Sequence, residues 1–244
     1  MCHAAPIALV LGYVLLAAVL AAAAVAAAAA GPVTGVARAA TAPRTLRLGL
    51  RGADVRALQH KLAAWHYFPG RFDGYFGPYT QEAVWAFQEV QHLAVTGTVG
   101  AATRARLAHP RRPQALVPGG GRQRVEVNLG RRTLVLYRAG RVALISHVSA
   151  GGGYRYCTGG TCARAITPAG NFRTTVYRPG WIHVPLGTMF NSVFFIGTKY
   201  AIHGEWYVPL RPVSHGCVRI PMDIAGFFHK LVPTPGTPVY IRRS

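Results

Sequence analysis

Acidic residues are scarce in this chain of 244 residues, which carries 7 Asp and Glu against 27 Lys and Arg. Beyond residue 122 the carboxylate side chains are few: Glu126, Glu205 and Asp223. Hydrolytic zinc sites usually recruit a carboxylate, and structural zinc sites usually have ligands paired at short, regular spacing. The other possible ligands are not paired in this way: His183, His203, His215 and Cys217. The sequence therefore predicts no metal site, and we expect no cofactor.

Lysine is also rare, at Lys61, Lys199 and Lys230, so nearly all of the formal charge of +20 comes from arginines spread along the chain. A basic face would ordinarily favour nucleic-acid binding, because it releases counterions from phosphates. Here the dispersed arginines and the long alanine tracts indicate a general compositional bias. We therefore expect no nucleic-acid partner, and an exported protein with this charge would adhere non-specifically to anionic wall polymers.

The stretch from Ala4 to Ala30 has no charged side chain and consists mostly of Ala, Val and Leu, as in a signal-peptide core or a membrane span. Residues 1–40 are therefore predicted to direct export. The small-residue pattern at 37–39 would suit cleavage before Thr41, whereas the length of the apolar run would suit a retained membrane anchor. The first six residues contain no Lys or Arg to fix an orientation, so both alternatives stand.

Cysteine is scarce as well, with four in the chain, and Cys2 lies in the segment expected to be removed. An oxidising compartment favours pairing Cys157 with Cys162, which are close enough in sequence to close a small loop. That pairing leaves Cys217 as an odd thiol. A small buried hydrophobic residue would be one explanation for it, and a reactive group would be the other.

A small helical domain is predicted over residues 45–108. The first helix has apolar residues at spacings of three and four: Val55, Leu58, Leu62 and Trp65. Asp54 is placed to cap the start of this helix. A second helix is expected from about Thr80 to Gln91, and a third helical stretch follows Gly100. The domain is therefore predicted to be all-α.

Two loops of this domain share one pattern. Residues 73–77 read Asp-Gly-Tyr-Phe-Gly and precede Thr80, and residues 95–100 again place two glycines before Thr103. A duplicated loop-then-helix unit is the simplest account, since glycine allows the backbone angles of tight turns. Together with Phe87-Gln88, the pattern resembles the three-helix peptidoglycan-binding domain. The resemblance implies that this domain holds a catalytic partner on the wall.

A second domain is predicted over residues 123–243, after a linker at 109–122 that is rich in Pro, Gly and Arg. Apolar residues then alternate with a period of two, which is typical of strands: Val125, Val127, Leu129, Leu134, Leu136, Val142 and Leu144. Gly130 and Gly140 would supply the hairpin turns. The sequence predicts one short helix at 222–231 and a last strand at 238–242. The fold class is therefore multidomain, with an all-α domain followed by a mainly β domain.

The reactive side chains of this second domain lie in two segments: His203-Gly204 and Ser214-His215-Gly216-Cys217-Val218-Arg219. Cysteine attacks as the thiolate, so a neighbouring imidazole must take its proton. His215 is two residues away across a glycine and cannot easily place its ring on the sulfur, whereas His203 arrives from another strand. We predict Cys217 as the nucleophile and His203 as its base, with amides near Gly216 as an oxyanion hole.

These segments resemble the signature of the YkuD-type L,D-transpeptidase catalytic domain, a family of cysteine enzymes that make penicillin-insensitive peptidoglycan cross-links. Residues 148–151, 167–172 and 236–241 also match the family. The resemblance implies that the Gly204 carbonyl steadies the base and that the amides of residues 215–217 form the oxyanion hole.

Arg219 departs from the family pattern, which often has Asn at this position, and an arginine there would favour a substrate carboxylate. The stretch between His203 and Ser214 is also short. The side chains assigned by position to substrate contact are Ser214, Arg219, Tyr200 and Trp206. Trp206, like Trp181 and Tyr207, could instead belong to the hydrophobic core.

The reaction implied by the resemblance begins when Cys217 attacks the L,D bond after the third stem residue and expels D-alanine. An amine of a neighbouring stem then resolves the thioester and gives a 3-3 cross-link. Its partners would be peptidoglycan stem peptides and glycan, in the cell wall or periplasm. Two alternatives remain: hydrolysis of the same thioester, which would make an L,D-carboxypeptidase, and a non-catalytic wall-binding protein.

Overall fold

Residues 43–243 are described by the computed structural model. The helices are α1 (Ala53–Ala64), α2 (Pro78–Val90), α3 (Ala101–Ala108) and α4 (Met222–Leu231). The strands are β1 (Arg124–Asn128), β2 (Thr133–Arg138), β3 (Arg141–His147), β4 (Arg155–Thr158), β5 (Thr161–Arg164), β6 (Gly170–Arg173), β7 (Tyr177–Val184), β8 (Gly187–Ile196), β9 (Tyr200–Glu205), β10 (Val218–Pro221) and β11 (Pro238–Arg242). The predicted fold class is confirmed.

The segment predicted to be a signal peptide or membrane anchor, residues 1–40, lies outside the described residues. Within residues 43–243, no helix combines the length and the apolar character needed to cross a membrane.

The first helix begins one residue earlier than the predicted cap. Gly52 occupies the N-cap position with φ +152, and Asp54 lies inside the first turn. The carboxylate of Asp54 instead pairs with Arg44, with 2.8 Å between Oδ2 and Nε. The prediction that Asp54 caps the helix was therefore wrong, because the N-cap position has a positive φ that glycine adopts readily and no side chain caps the helix.

The duplicated loops are built in the same way around a buried glutamine. Gln59 accepts a hydrogen bond from Gly74 N at 3.0 Å and donates to Thr80 Oγ1 at 3.2 Å. Gln88 accepts from Gly97 N at 2.9 Å, and its amide likewise donates to the threonine that follows its loop, at 3.1 Å. Each glutamine thus satisfies the polar groups of one glycine loop from within the core.

Two sheets form the β domain. The first has the order β3-β2-β1-β11-β6, and the second has the order β10-β9-β8-β7. Apolar side chains from both sheets meet in one core, among them Val125, Leu136, Phe195 and Ile202, and α4 packs against the second sheet. The hairpin β4-β5 stands apart from both sheets. In the second sheet β9 and β10 are parallel, which allows two segments distant in sequence to lie side by side.

The outer face of the first sheet is covered by the helical domain. Val135, Tyr137 and Ile145 belong to the same hydrophobic cluster as the helical core. The backbone continues this contact, since Ile145 N donates to His66 O at 2.8 Å. All five residues of β1 are also buried, including Glu126, whose carboxylate accepts from Leu116 N and Val117 N.

The segment predicted to be a linker, residues 109–122, contacts both domains. Arg111 N donates to Gln91 Oε1 of the helical domain at 2.7 Å. Further along, Leu116 N donates to Glu126 Oε2 of β1 at 2.7 Å. Ala115 also packs against the helical core. The segment therefore fixes the two domains to each other at several points.

Candidate active site

The parallel pairing of β9 and β10 brings Cys217 next to the strand that carries His203. Ile202 pairs with Val218 and His203 with Arg219, so Cys217, one residue before β10, lies beside Ala201. Side chains two residues apart on a strand point to the same face, which puts the thiol, the imidazole and Arg219 on one face of the sheet. The amide of Ala201 donates to Cys217 Sγ at 3.4 Å.

This face opens into a cavity of about 410 Å³. His203 and Cys217 both line it. The remaining lining residues come from the second sheet, the hairpin and the turn before β10: Tyr156, Thr158, Val184, Pro185, Leu186, Thr188, Met189, Thr198, Lys199, Tyr200, Ser214, His215 and Arg219. The cavity therefore brings together the two residues that the sequence predicts to be the nucleophile and its base.

The imidazole of His203 is held in one neutral tautomer. Its Nδ1 lies 3.1 Å from the Gly204 carbonyl oxygen, which can only accept, so Nδ1 carries the proton and Nε2 keeps its lone pair. Burial lowers the pKa of His203 to about 4, because the charged form loses its hydration. Gly204 is required here, since a Cβ would lie 2.6 Å from Ala225 Cβ.

The thiol of Cys217 is also held in its neutral form. Burial raises the pKa of Cys217, and the Ala201 amide and the charge of Arg219 lower it less. Within residues 43–243, the hydrogen-bond partners of Sγ are Ala201 N and, at 3.9 Å, Met189 Sδ, and none is His203. The pair is a neutral thiol and a neutral imidazole.

The turn before Cys217 is held by Ser214. The Ser214 hydroxyl accepts from Gly216 N at 3.0 Å and donates to Cys217 O at 2.5 Å. The Gly216 amide is thus engaged, contrary to its predicted place in the oxyanion hole. In the described part of the chain, the amides of His215 and Cys217 donate to no protein acceptor. Ser214 was assigned to substrate contact, but its hydroxyl is used inside the turn.

Further polar residues that sequence reasoning did not assign a role brace this turn from the other side. Thr167 Oγ1 donates to Gly216 O at 2.7 Å and accepts from Gly151 N at 2.9 Å. Gly216 itself has φ +139, and a Cβ there would lie 2.6 Å from Tyr200 Cε1. The segments around Gly151 and Thr167 had matched the family signature, and this network is the physical reason for their position beside the nucleophile.

His215 faces the β4-β5 hairpin. Its ring packs edge-on against Tyr154 and Tyr156, with centroids 5.4 and 4.7 Å away. A disulfide joins Cys157 to Cys162 across this hairpin. The hairpin therefore forms one wall of the cavity. His215 joins that wall to the turn at residues 214–217.

The four residues assigned to substrate contact have different surroundings. Tyr200 and Arg219 line the cavity, and Arg219 Nε lies 3.4 Å from Glu205 Oε2. Trp206 is 66% exposed and is not part of the cavity wall. Its ring lies 6.1 Å from that of Trp181, which is also exposed. Trp206 and Trp181 therefore belong neither to the hydrophobic core nor to the cavity wall.

Among residues 43–243, no three His, Cys, Asp or Glu side chains form a group that could hold a metal ion. Glu126, one of the few carboxylates, is instead buried in an ion pair with Arg124, with 2.7 Å between Oε1 and Nε.

Comparison with protein families gives two matches. A model described as a putative peptidoglycan-binding domain matches residues 51–107, and a model of the L,D-transpeptidase catalytic domain matches residues 122–241. Together these ranges contain the glycine loops and every residue of the cavity described above.

Two known proteins are similar to this chain, one over most of its length and one over a short part of it. The crystal structure of an L,D-transpeptidase from Xylanimonas cellulosilytica has a TM-score of 0.77 and 35% identity, covering 82% of this chain and 98% of that one. The N-acetylmuramoyl-L-alanine amidase CwlL of Bacillus licheniformis is 38% identical over 64 residues, which are 24% of this chain. This chain spans 18% of the length of that amidase.

Proposed function

Because the chain belongs to the L,D-transpeptidase family, we propose that it cross-links peptidoglycan through a thioester on Cys217. The observation that carries the proposal is the placement of Cys217 and His203 on one face of the β9-β10 pair, in one cavity. The fixed tautomer of His203 supports it further, because a base must present an unprotonated nitrogen. The donor would be a tetrapeptide stem.

The first half of the reaction transfers a proton and an acyl group. His203 Nε2 takes the thiol proton as Cys217 Sγ attacks the carbonyl carbon of the third stem residue. The imidazolium then gives this proton to the departing D-alanine amine. The C–N bond breaks, and a thioester remains on the enzyme. The base is neutral above about pH 4, so it is ready at neutral pH.

The second half reverses these roles. An amine of a neighbouring stem attacks the thioester, His203 accepts its proton, and that proton returns to the sulfur as it leaves. The product is a 3-3 cross-link. If water attacks instead, the same intermediate gives an L,D-carboxypeptidase.

The developing negative charge on the substrate oxygen would be stabilised by the amides of His215 and Cys217, which have no protein acceptor within the described residues. Arg219 would bind a carboxylate of the stem, because its guanidinium faces the cavity beside the nucleophile. Tyr200 would form the adjoining wall.

The helical domain would hold the enzyme on its substrate, as its peptidoglycan-binding match supports. We place the protein outside the cytoplasmic membrane, in the wall or periplasm, with residues 1–40 as a cleaved signal or a retained anchor. The peptidoglycan on which both matched domains would act lies there.

Incubation of the protein with a disaccharide-tetrapeptide, followed by mass analysis, tests this proposal. We expect loss of D-alanine and formation of a dimer, and we expect Cys217→Ala to form neither product. A carbapenem, which reacts with the thiol, should add its mass to the native chain and not to this variant.

Absence of both products from the folded native protein, with wall binding intact, would leave only a wall-binding role. Loss of D-alanine without any dimer would instead identify the carboxypeptidase. Conversion of substrate by Cys217→Ala would remove the cysteine from the mechanism.

A further inference from the structure

The turn at residues 214–217 is connected to β9, the strand of His203, by one loop. This loop consists of residues 206–213. Both ends of this loop are therefore catalytic segments, and its path fixes where the nucleophile lies relative to His203. Tyr207 on the loop is 52% exposed, whereas Val208 beside it is fully buried. The buried backbone amide of Val208 therefore needs a hydrogen-bond acceptor.

That acceptor comes from the helical domain. Glu82 of α2 is 1% exposed, and its Oε1 accepts a hydrogen bond from Val208 N at 2.8 Å. Trp85, one helical turn further along α2, packs edge-on against Tyr207 with 6.3 Å between centroids. The residue pair 82 and 85 thus presents one face of the helix to the loop.

The rest of the loop is held by the catalytic domain itself. His147 Nε2 lies 3.2 Å from Pro209 O. Ser149 Oγ donates to Arg211 O at 3.0 Å and accepts from Val213 N at 3.3 Å. In the described chain, the Val208 amide therefore depends on a side chain from the other domain, while the later loop residues do not.

We propose that Glu82 is a positioning residue for the transpeptidase reaction, through which the wall-binding domain holds the loop that aims Cys217 at its base. This inference rests on the proposed function. It makes the helical domain part of the catalytic geometry, in addition to its attachment to the wall. A buried amide that loses its acceptor is costly, so the loop would move to find water.

Glutamine is a close substitute for Glu82 in this setting. Burial raises the pKa of Glu82 to about 8, so the side chain is mainly the neutral acid at pH 7. The amide of Glu82→Gln has the same shape and keeps an oxygen that can accept from Val208 N. Glu82→Ala has no acceptor. Comparison of the two variants separates the hydrogen bond from the bulk of the side chain.

Glu89 provides a matched control on the same helix. It also reaches the β domain, in an ion pair with Arg132, and among the described residues none of its polar contacts is to the loop. Glu89→Ala therefore removes a buried contact between the domains without touching residues 206–213. Any general loosening of the two domains should appear in this variant too.

The experiment measures, in the full chain, the rate at which a carbapenem acylates Cys217 and the hydrogen exchange of residues 206–213. Glu82→Ala should acylate roughly 3- to 10-fold more slowly, as expected for one lost hydrogen bond. Exchange in the loop should rise in this variant. Glu82→Gln should restore both values, and Glu89→Ala should match the native chain. Binding to isolated sacculi should be equal in all four proteins.

The outcomes separate the two proposals. A native chain that neither acylates nor forms product contradicts the proposed function itself. An active native chain with equal rates and equal loop exchange in Glu82→Ala contradicts the positioning role alone. Slowing of Glu89→Ala to the same extent as Glu82→Ala would also contradict it, because loss of domain contact would then be sufficient.

Discussion

Cys217 and His203 lie in surroundings that favour their neutral forms. His203 is buried and Cys217 is half-buried in the same cavity, so the charged pair of thiolate and imidazolium would lose hydration that the protein does not replace. In the proposed mechanism, the proton would move from Cys217 to His203 only when substrate arrives. A neutral thiol is also less readily oxidised than a thiolate, because the thiolate is the reactive form.

The acid limb of the pH profile tests this protonation state. The pKa of His203 is lowered from 6.5 to about 4, so the free base is present throughout the range from pH 5 to 7. The rate of carbapenem acylation should stay nearly constant over this range and fall only toward pH 4. A decline centred near pH 6.5 would mean that the imidazole titrates as it does in water. His203→Gln should lose roughly 100-fold or more at every pH.

The types and spacing of Cys217 and His203 predict a nucleophile and a base, and the structure brings both residues into one cavity. The sequence could not predict the protonation state of either side chain. Their pKa values depend on burial, which is set by strands far apart in the chain. The engagement of the Gly216 amide by Ser214 depends equally on the final shape of the turn.

At the scale of elements, the β4-β5 hairpin has few contacts outside the cavity wall. It belongs to neither of the two larger sheets, and every residue of β5 is exposed. The disulfide between Cys157 and Cys162 closes a loop of only a few residues. Short closed loops restrict the unfolded chain little, so its main effect should be local.

Removal of the disulfide should therefore change substrate use more than stability. In Cys157→Ser with Cys162→Ser, we expect a rise in KM of several-fold, because Tyr156 would no longer be held against His215. The melting temperature should change by only a few degrees. Steady-state kinetics and thermal unfolding measure the two effects. A large loss of stability with unchanged KM would contradict this assignment.

Elements with strong periodicity were predicted well, and their ends less well. The helix at Met222–Leu231 and the strand at Pro238–Arg242 have the predicted bounds. In the first hairpin the positive φ belongs to Arg132 rather than Gly130, since φ at Arg132 is +53. Apolar spacing specifies an element, but the residue that takes the strained turn angle depends on strand register.

Buried carboxyls and buried imidazoles have opposite effects on how the free energy of unfolding changes with pH. Burial raises the pKa of Glu82 to about 8 and that of Asp223 to about 7, so the folded state holds protons that the unfolded state releases. His147 and His203 have the opposite effect, because burial lowers the pKa of each to about 4. Between about pH 4.5 and 6.5 the two effects offset each other.

Above pH 6.5 only the carboxyl effect remains, so the free energy of unfolding should fall as the pH rises to 8. Each carboxyl contributes about 1.4 kcal/mol per pH unit until its folded pKa is reached. Above pH 7 the slope should come mainly from Glu82, and Glu82→Gln should remove most of it. Urea unfolding across this range measures the slope. A flat profile in the native chain would contradict the raised carboxyl pKa values.

The contact between the domains could not be predicted from the sequence. The alternation of β1 suggested one exposed face, yet Arg124 and Glu126 on that strand are buried. Residues 109–122 read as a free linker because their composition lacks apolar periodicity, and their contacts are made largely by backbone amides. Such contacts leave no pattern in the residue types.

The seating of the helical domain on the outer face of the first sheet has a consequence for where bonds are made. A flexible linker between the two domains would allow Cys217 to reach many neighbouring chains of the sacculus. Here the helical domain and the first sheet share a hydrophobic core, so the distance from the helical domain to Cys217 is set by the fold. In the proposed function, an enzyme bound to one glycan strand would reach only stem peptides at a fixed distance from that strand. Which of those stems is cross-linked would then depend on the spacing of the strands in the wall.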